Sequence, residues 1–232
     1  MPINRALRAF GLALLFLGLA LPARAARVVV ETAEDFDPAR PLRVAFLPLV
    51  AVPAPLDAGW VTCPIGGESF VPCKVEEAAE AELSRALGQA LMGLGRPVTL
   101  VPQSEINAAL KRLKQQDTGL PVNGAFQLAL GKEVGADAVL TGFIFCYRDR
   151  SGGSYASSTP AAIGFCLHLL EVSSGRILWR MRYEDEQRPL FEDLLGIGDF
   201  IRRGGQWVSV RRLAEEAAAV MMKKLPWTAA RS

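Results

Sequence analysis

The sequence predicts an α/β fold, a mixed sheet with an antiparallel carboxy-terminal meander, covered by helices. Three observations carry that expectation. Strand-like and helix-like segments alternate through the first half of the chain. Three apolar runs between 138 and 184 are joined by hairpin-type connections, the pattern of a meander. The run LRVAFLPLV at 42–50 is apolar nearly throughout, as befits a strand covered on both faces.

Taken in order, RVVV at 27–30 reads as a short strand and 31–40 as an acidic, irregular stretch. Residues 42–50 form the first full strand. Pro53, Pro55, Pro64, Pro72 and the pair Gly66-Gly67 then mark 51–72 as a long loop, a candidate contact surface. Leu83, Leu87, Leu91 and Leu94 recur at helical spacing, predicting a helix over 75–94 with Glu76, Glu77 and Glu80 at its positive end. A short strand at 98–101 follows, then a helix from Ser104 to about 116 whose Lys111, Arg112 and Lys114 read as a solvated face. A second short helix spans 125–134 and closes at Gly135. Strands are expected at 138–147, 162–172 and 176–184, with a turn-rich connector at 148–160 and a tight turn at 173–175. Leu190, Phe191, Leu194, Leu195, Ile197, Phe200 and Ile201 form an apolar, helix-like stripe. Ser209 caps a last helix that Pro226 ends.

The amino terminus reads as a cleavable export signal. Arg5 and Arg8 precede an apolar stretch of 12 residues (10–21), and Ala23-Arg24-Ala25 offers small residues for cleavage after 25. A spanning helix needs about 20 apolar residues, so an uncleaved anchor is disfavoured. The first cysteine is Cys63, so no lipid-bearing cysteine follows the cut. The domain plan is thus a signal at 1–25, an arm at 26–41, one α/β domain at 42–226 with a Pro/Gly-rich loop at 51–73, and a tail at 227–232. The expected location is the periplasm, unlipidated and with no transmembrane segment in the mature chain.

The whole chain has 26 Lys+Arg against 24 Asp+Glu, and loss of Arg5, Arg8 and Arg24 leaves 23 against 24. A near-neutral domain lacks the basic footprint that nucleic acid requires. The four cysteines suit an oxidising compartment, which allows three pairings. Neighbour pairing, Cys63–Cys73 and Cys146–Cys166, follows if 146 and 166 stand opposite each other in a hairpin. Buried free thiols are the alternative. Zinc is the weakest option, because neither C-x₂-C spacing nor a second histidine is present.

No catalytic or cofactor motif stands out. His168, the single histidine, shares a strand face with Cys166 and Leu170 by alternation and reads as a structural residue. The acids Glu184, Asp185, Glu186, Glu192 and Asp193 read as solvated. The double glycines lack phosphate-loop spacing. The chain is therefore expected to be non-enzymatic, with no cofactor and no metal. Gln187, Leu190, Phe191, Leu194, Phe200 and Trp207 are the candidate partner surface if the stripe is exposed. Otherwise the stripe covers the sheet.

The runs LGKEVGADAVLTGFI (130–144) and PAAIGFCLHLLEVSSGRILWRMRYEDEQRPL (160–190) resemble the periplasmic α/β domains of the TolB amino-terminal, LpoB and CsgG-like group. The resemblance covers about 42–225 and rests on structural motifs, a Gly-Ala-Asp lead into the meander and the turn Ser-Ser-Gly-Arg-Ile-Leu-Trp at 173–179. It implies a non-catalytic component of a cell-envelope complex with an envelope protein partner. A small-molecule site between the 51–72 loop and the sheet is the alternative.

Overall fold

The computed structural model describes residues 26–55, 57–95, 97–116, 124–152, 157–187 and 208–227. The expected signal segment at 1–25 and the apolar stripe at 190–207 lie outside them. The fold is the expected α/β sandwich. A seven-stranded mixed sheet holds β1 (Arg27–Thr32), β11 (Ile177–Glu186), β10 (Ala162–Glu171), β7 (Ala138–Arg148), β2 (Leu42–Phe46) and β6 (Val98–Leu100) in that order, with β3 (Val50–Ala51) also on β7. The β6-β2-β7 side is parallel, and from β7 through β10 and β11 to β1 the pairing is antiparallel. Two small ladders complete the strands, β4 (Val61–Thr62) with β5 (Ser69–Phe70) and β8 (Ser151–Gly152) with β9 (Ser157–Thr159).

The apolar stretch at 42–50 does not run as one strand. It breaks at Leu47-Pro48-Leu49, where proline has no amide to give the ladder, and resumes as β3. The first helix, α1 (Ala79–Leu91), is shorter than the pattern 75–94 suggests. Its early residues are held elsewhere, since Val75 bridges to Tyr147 and the Glu76 amide donates to the Tyr147 carbonyl at 2.9 Å. Helices α2 (Gln103–Gln116), α3 (Ala125–Glu133) and α4 (Val210–Lys224) match their expected positions within a residue or two.

The segment read as an arm carries the edge strand. β1 pairs with β11 over six residues, and Phe36 meets Trp227 edge to face with ring centres 6.4 Å apart. Trp227, at the start of the expected tail, is buried.

Alternation along β7 and β10 divides the core. One face presents Leu140, Ile144, Phe165, Leu167 and Leu169 to α1 and α4. The other face presents Val139 to α2 and α3, and Phe143, Phe145 and Cys166 to the β4–β5 hairpin. The two sequence motifs are explained by packing. Asp137 Oδ2 accepts from the Arg43 amide at 2.8 Å, tying β2 to the start of β7, while Gly135 takes φ 61° to end α3. Trp179 is fully buried and donates through Nε1 to the Lys224 carbonyl at 3.1 Å, fixing the end of α4.

Glu82 joins three elements. It accepts from the Tyr147 hydroxyl at 2.8 Å and pairs with Arg211 of α4. The hydrogen bond from Arg211 holds its carboxyl below the usual glutamate value of 4.5, with burial opposing it and the Tyr147 hydroxyl adding to it. A carboxylate depressed in the folded state adds stability above its unfolded value, and that stability is lost as pH falls through the folded value. Glu82→Gln keeps an acceptor for the Tyr147 hydroxyl but loses the charge that strengthens that bond and pairs with the exposed, screened Arg211, and is expected to cost about 0.5–1 kcal/mol at neutral pH. In urea titrations the difference from the native chain should shrink below pH 4.5.

Candidate functional site

The long loop after β3 is anchored at both ends of its hairpin. Residues 73–76 run beside β7, where the Cys73 amide donates to the Phe145 carbonyl at 3.1 Å. This places Cys73 next to Cys146, and the two form a disulfide with Cα atoms 4.6 Å apart. Cys63 and Cys166 are free and buried. The neighbour pairing read from the sequence is therefore corrected. Its premise was that 146 and 166 stand opposite one another. The register instead sets Cys146 against Gly164 and Cys166 against Phe143, with a shift between Gly164 and Phe165.

The hairpin folds inward over β10. Phe70 stacks on Phe145 at 4.1 Å, and the Arg182 guanidinium lies 4.6 Å from the Phe70 ring centre. Phe70 is thus held by Phe145 of β7 and Arg182 of β11. At the hairpin tip the Cys63 amide donates to the Glu68 carbonyl at 2.7 Å, the Gly67 amide donates to the Cys63 carbonyl, and Gly67 takes φ 76°. Arg180 of β11 donates to the Gly66 carbonyl at 3.1 Å and lies 3.5 Å from Glu68 Oε1.

Beneath that tip, Cys63 Sγ lies 3.0 Å from Cys166 Sγ and 3.1 Å from His168 Nε2. Glu68 Oε2 is 3.8 Å from His168 Nε2. Cys166 and His168 are two apart on β10, so both point to the hairpin side. The expectation that they share a face holds, and both are 0% exposed. The Cys63 thiol is pushed down to about 4, chiefly by the hydrogen bond from Cys166, with His168 adding to this and burial opposing it. Burial pushes the Cys166 thiol up and raises the Glu68 carboxyl. His168 Nδ1 and Glu68 Oε2 are buried without a hydrogen-bond partner.

The other residues read from the sequence are placed as follows. Gln187 is 4% exposed, and its Oε1 accepts from the Val208 amide at 3.0 Å, so it is a packed residue and not surface. Leu190, Phe191, Leu194, Phe200 and Trp207 lie outside the described residues. Asp185 is buried rather than solvated, while Glu184 pairs with Arg182 and Glu186 with Arg148. The Cys63, Glu68, Cys166 and His168 cluster escaped the sequence reading, and the alternation Cys166-x-His168 was the one visible signal for it. Within 51–72, read from the sequence as a candidate contact surface without named residues, Trp60 is 72% and Val71 60% exposed beside a recess of about 390 Å³.

No protein-family model matches the sequence, and no curated protein matches it. Solved structures resemble it in chain path. The PelC dodecamer from Paraburkholderia phytofirmans is 13% identical, with 88% of this chain and 97% of that chain covered and a TM-score of 0.44. The LpoB C-terminal domain from Salmonella enterica is 18% identical, with 67% and 88% covered and a TM-score of 0.39. Lipoprotein GNA1162 from Neisseria meningitidis is 13% identical, with 71% and 99% covered and a TM-score of 0.40. With TM-scores below 0.5, none of these likenesses carries an argument about this chain. No helix among the described residues is long and apolar enough to cross a membrane.

The Cys73–Cys146 bond closes a separation of 73 residues. Loop-closure entropy assigns such a crosslink about 4 kcal/mol, and native examples commonly cost about 2–5 kcal/mol when removed. Replacing both cysteines by alanine should lower the unfolding free energy by about 2–4 kcal/mol in a denaturant titration. The single replacements should match the double one within error.

Proposed function

We propose that this chain is a non-catalytic component of the cell envelope, exported to the periplasm, that binds or helps assemble a protein partner there. The observation that carries this reading is the outward side of the β4–β5 hairpin. Trp60 immediately precedes β4 and Val71 immediately follows β5, and both are exposed while Phe70 is buried. They line the recess together with Ala162, Ile163 and Gly164 of β10, with Arg27, Arg148 and Arg182, and with the acids at 184–186. Exposed tryptophan beside arginine on a tethered element is the composition of a binding hot spot. Export is supported by the amino-terminal charge and apolar pattern and agrees with a disulfide.

The absence of catalysis is supported by access. The one group of nucleophile, imidazole and carboxylate has Cys63 at 2% exposure and Cys166 and His168 at 0%. A substrate would need the hairpin to lift before reaching it.

A second reading is a small-molecule site in the cleft between the loop and the sheet. The 390 Å³ recess falls within the usual range for such pockets. One experiment separates the two. A photocrosslinking amino acid is placed at Trp60 or Val71 in cells of the native host, with Lys111 on α2 as the control. Discrete protein adducts from 60 and 71 but not from 111 are expected. No adduct from either hairpin position would overturn the partner reading. Trp60→Ala should change the unfolding free energy by less than about 0.5 kcal/mol while removing the adduct formed at 71.

A further inference from the structure

Cys63, Glu68, Cys166 and His168 each present a ligand atom, and these four atoms lie within 4.8 Å of one another. We infer that this cluster is a structural metal site for a thiophilic divalent cation, Zn²⁺ by preference. Cys63 Sγ, Cys166 Sγ, His168 Nε2 and Glu68 Oε2 are its four ligands. The inference stands apart from the partner reading, since it concerns the inner side of the hairpin alone.

Donor chemistry is the first support. Two thiols, one imidazole and one carboxylate are the ligands zinc takes in tetrahedral sites. Magnesium and calcium want oxygen donors and would find one carboxylate. In a zinc tetrahedron, sulfur–sulfur separations are about 3.8 Å and sulfur–nitrogen separations about 3.5 Å, given bonds of about 2.3 and 2.0–2.1 Å. The observed 3.0 and 3.1 Å need to open by less than about 1 Å, and Glu68 Oε2 already stands 3.8 Å from His168 Nε2.

The second support is electrostatic. Glu68 Oε2 is buried with no hydrogen-bond partner, and the neighbouring Arg180 approaches the other oxygen, Oε1. An unpaired carboxylate oxygen beside a sulfur acceptor is costly in a protein interior. A dication between them turns that cost into ligation. The third support is space. A Cβ at Gly66 would collide with the Glu68 carboxylate and the His168 ring, so only glycine lets both side chains converge. The Gly66 amide also donates to Cys63 Sγ at 3.4 Å.

Burial sets the role. With four protein ligands, Cys63, Cys166 and His168 buried and the Oε2 of the partly exposed Glu68 itself covered, such a site is closed and structural. It would pin the hairpin tip to β10, across a sequence distance of 103 residues between Cys63 and Cys166. Binding expels the thiol protons to solvent and leaves both sulfurs as thiolates. The rival fate of two thiols so close is oxidation to a second disulfide.

The test uses the full chain exported into a bacterial periplasm supplied with zinc. It is purified without a polyhistidine tag, chelator or reductant. Elemental analysis and alkylation of the unfolded protein are read together. About one zinc per chain with two alkylatable thiols is expected. A Cys63–Cys166 disulfide, or two free thiols with no zinc, would overturn the inference. Cobalt titration of the metal-stripped native chain avoids dependence on variants. A thiolate-to-cobalt charge-transfer band with tetrahedral d–d bands is expected, and its absence also overturns the site. Glu68→Gln should weaken zinc binding by at least about 10-fold while keeping the fold, and His168→Gln by more.

Discussion

The sheet's central pair, β7 and β10, is buried along nearly its whole length on both sides, and that constraint shapes everything around it. One face is covered by α1 and α4 from end to end. Among the described residues, the other has the helices α2 and α3, which reach the half of β7 that begins at Ala138. The remaining half needs a cover, and the chain supplies the β4–β5 hairpin. Each strand of that hairpin is two residues long, far too little to hold itself against the sheet. It is secured by the Cys73–Cys146 bond behind it, by Phe70 between Phe145 and Arg182, and by the polar contacts at its tip.

This explains which parts of the molecule the sequence revealed. Periodicity located every helix among the described residues and the three long strands, because those elements bury one face or both along their own length. The errors fall where pairing partners decide the structure. Residues 75 and 76 look helical by their acids and spacing, yet Val75 bridges to Tyr147 and the Glu76 amide bonds to the Tyr147 carbonyl. The stretch 42–50 looks like one strand, yet Pro48 divides it between two positions on β7. RVVV at 27–30 was visible as a strand, while its place at the sheet edge beside β11 was not. That pairing spans 147 to 157 residues of sequence and leaves no local mark.

The cysteines show the same limit more sharply. Their count suggested bonds, but the choice of bond depends on the β7–β10 register, which sets Cys146 against Gly164 and Cys166 against Phe143. That register keeps Cys146 out of line with Cys166, and Cys73 is the cysteine that lies beside it. The four-donor cluster was hidden for a related reason. Sequence signatures for zinc are local spacings, whereas these ligands come from a hairpin tip and from a strand 103 residues away. Only Cys166 and His168, sharing one face two residues apart, could be seen in advance.

The hairpin therefore has two sides with different tasks. Alternation sends Phe70 and Cys63 into the molecule and leaves Trp60 and Val71 in solvent. Because β4 and β5 are so short, the outward pair cannot be positioned more firmly than the inward attachments allow. A partner gains affinity from anchors that are already ordered, since ordering them on binding costs free energy. The disulfide fixes the return strand near 73, but it lies beyond the tip and cannot by itself fix residues 63–68. That leaves the tip to the contacts of Arg180 and to the cluster beneath it. Whatever joins Cys63 and Glu68 to Cys166 and His168 thus also sets how rigidly the chain presents Trp60.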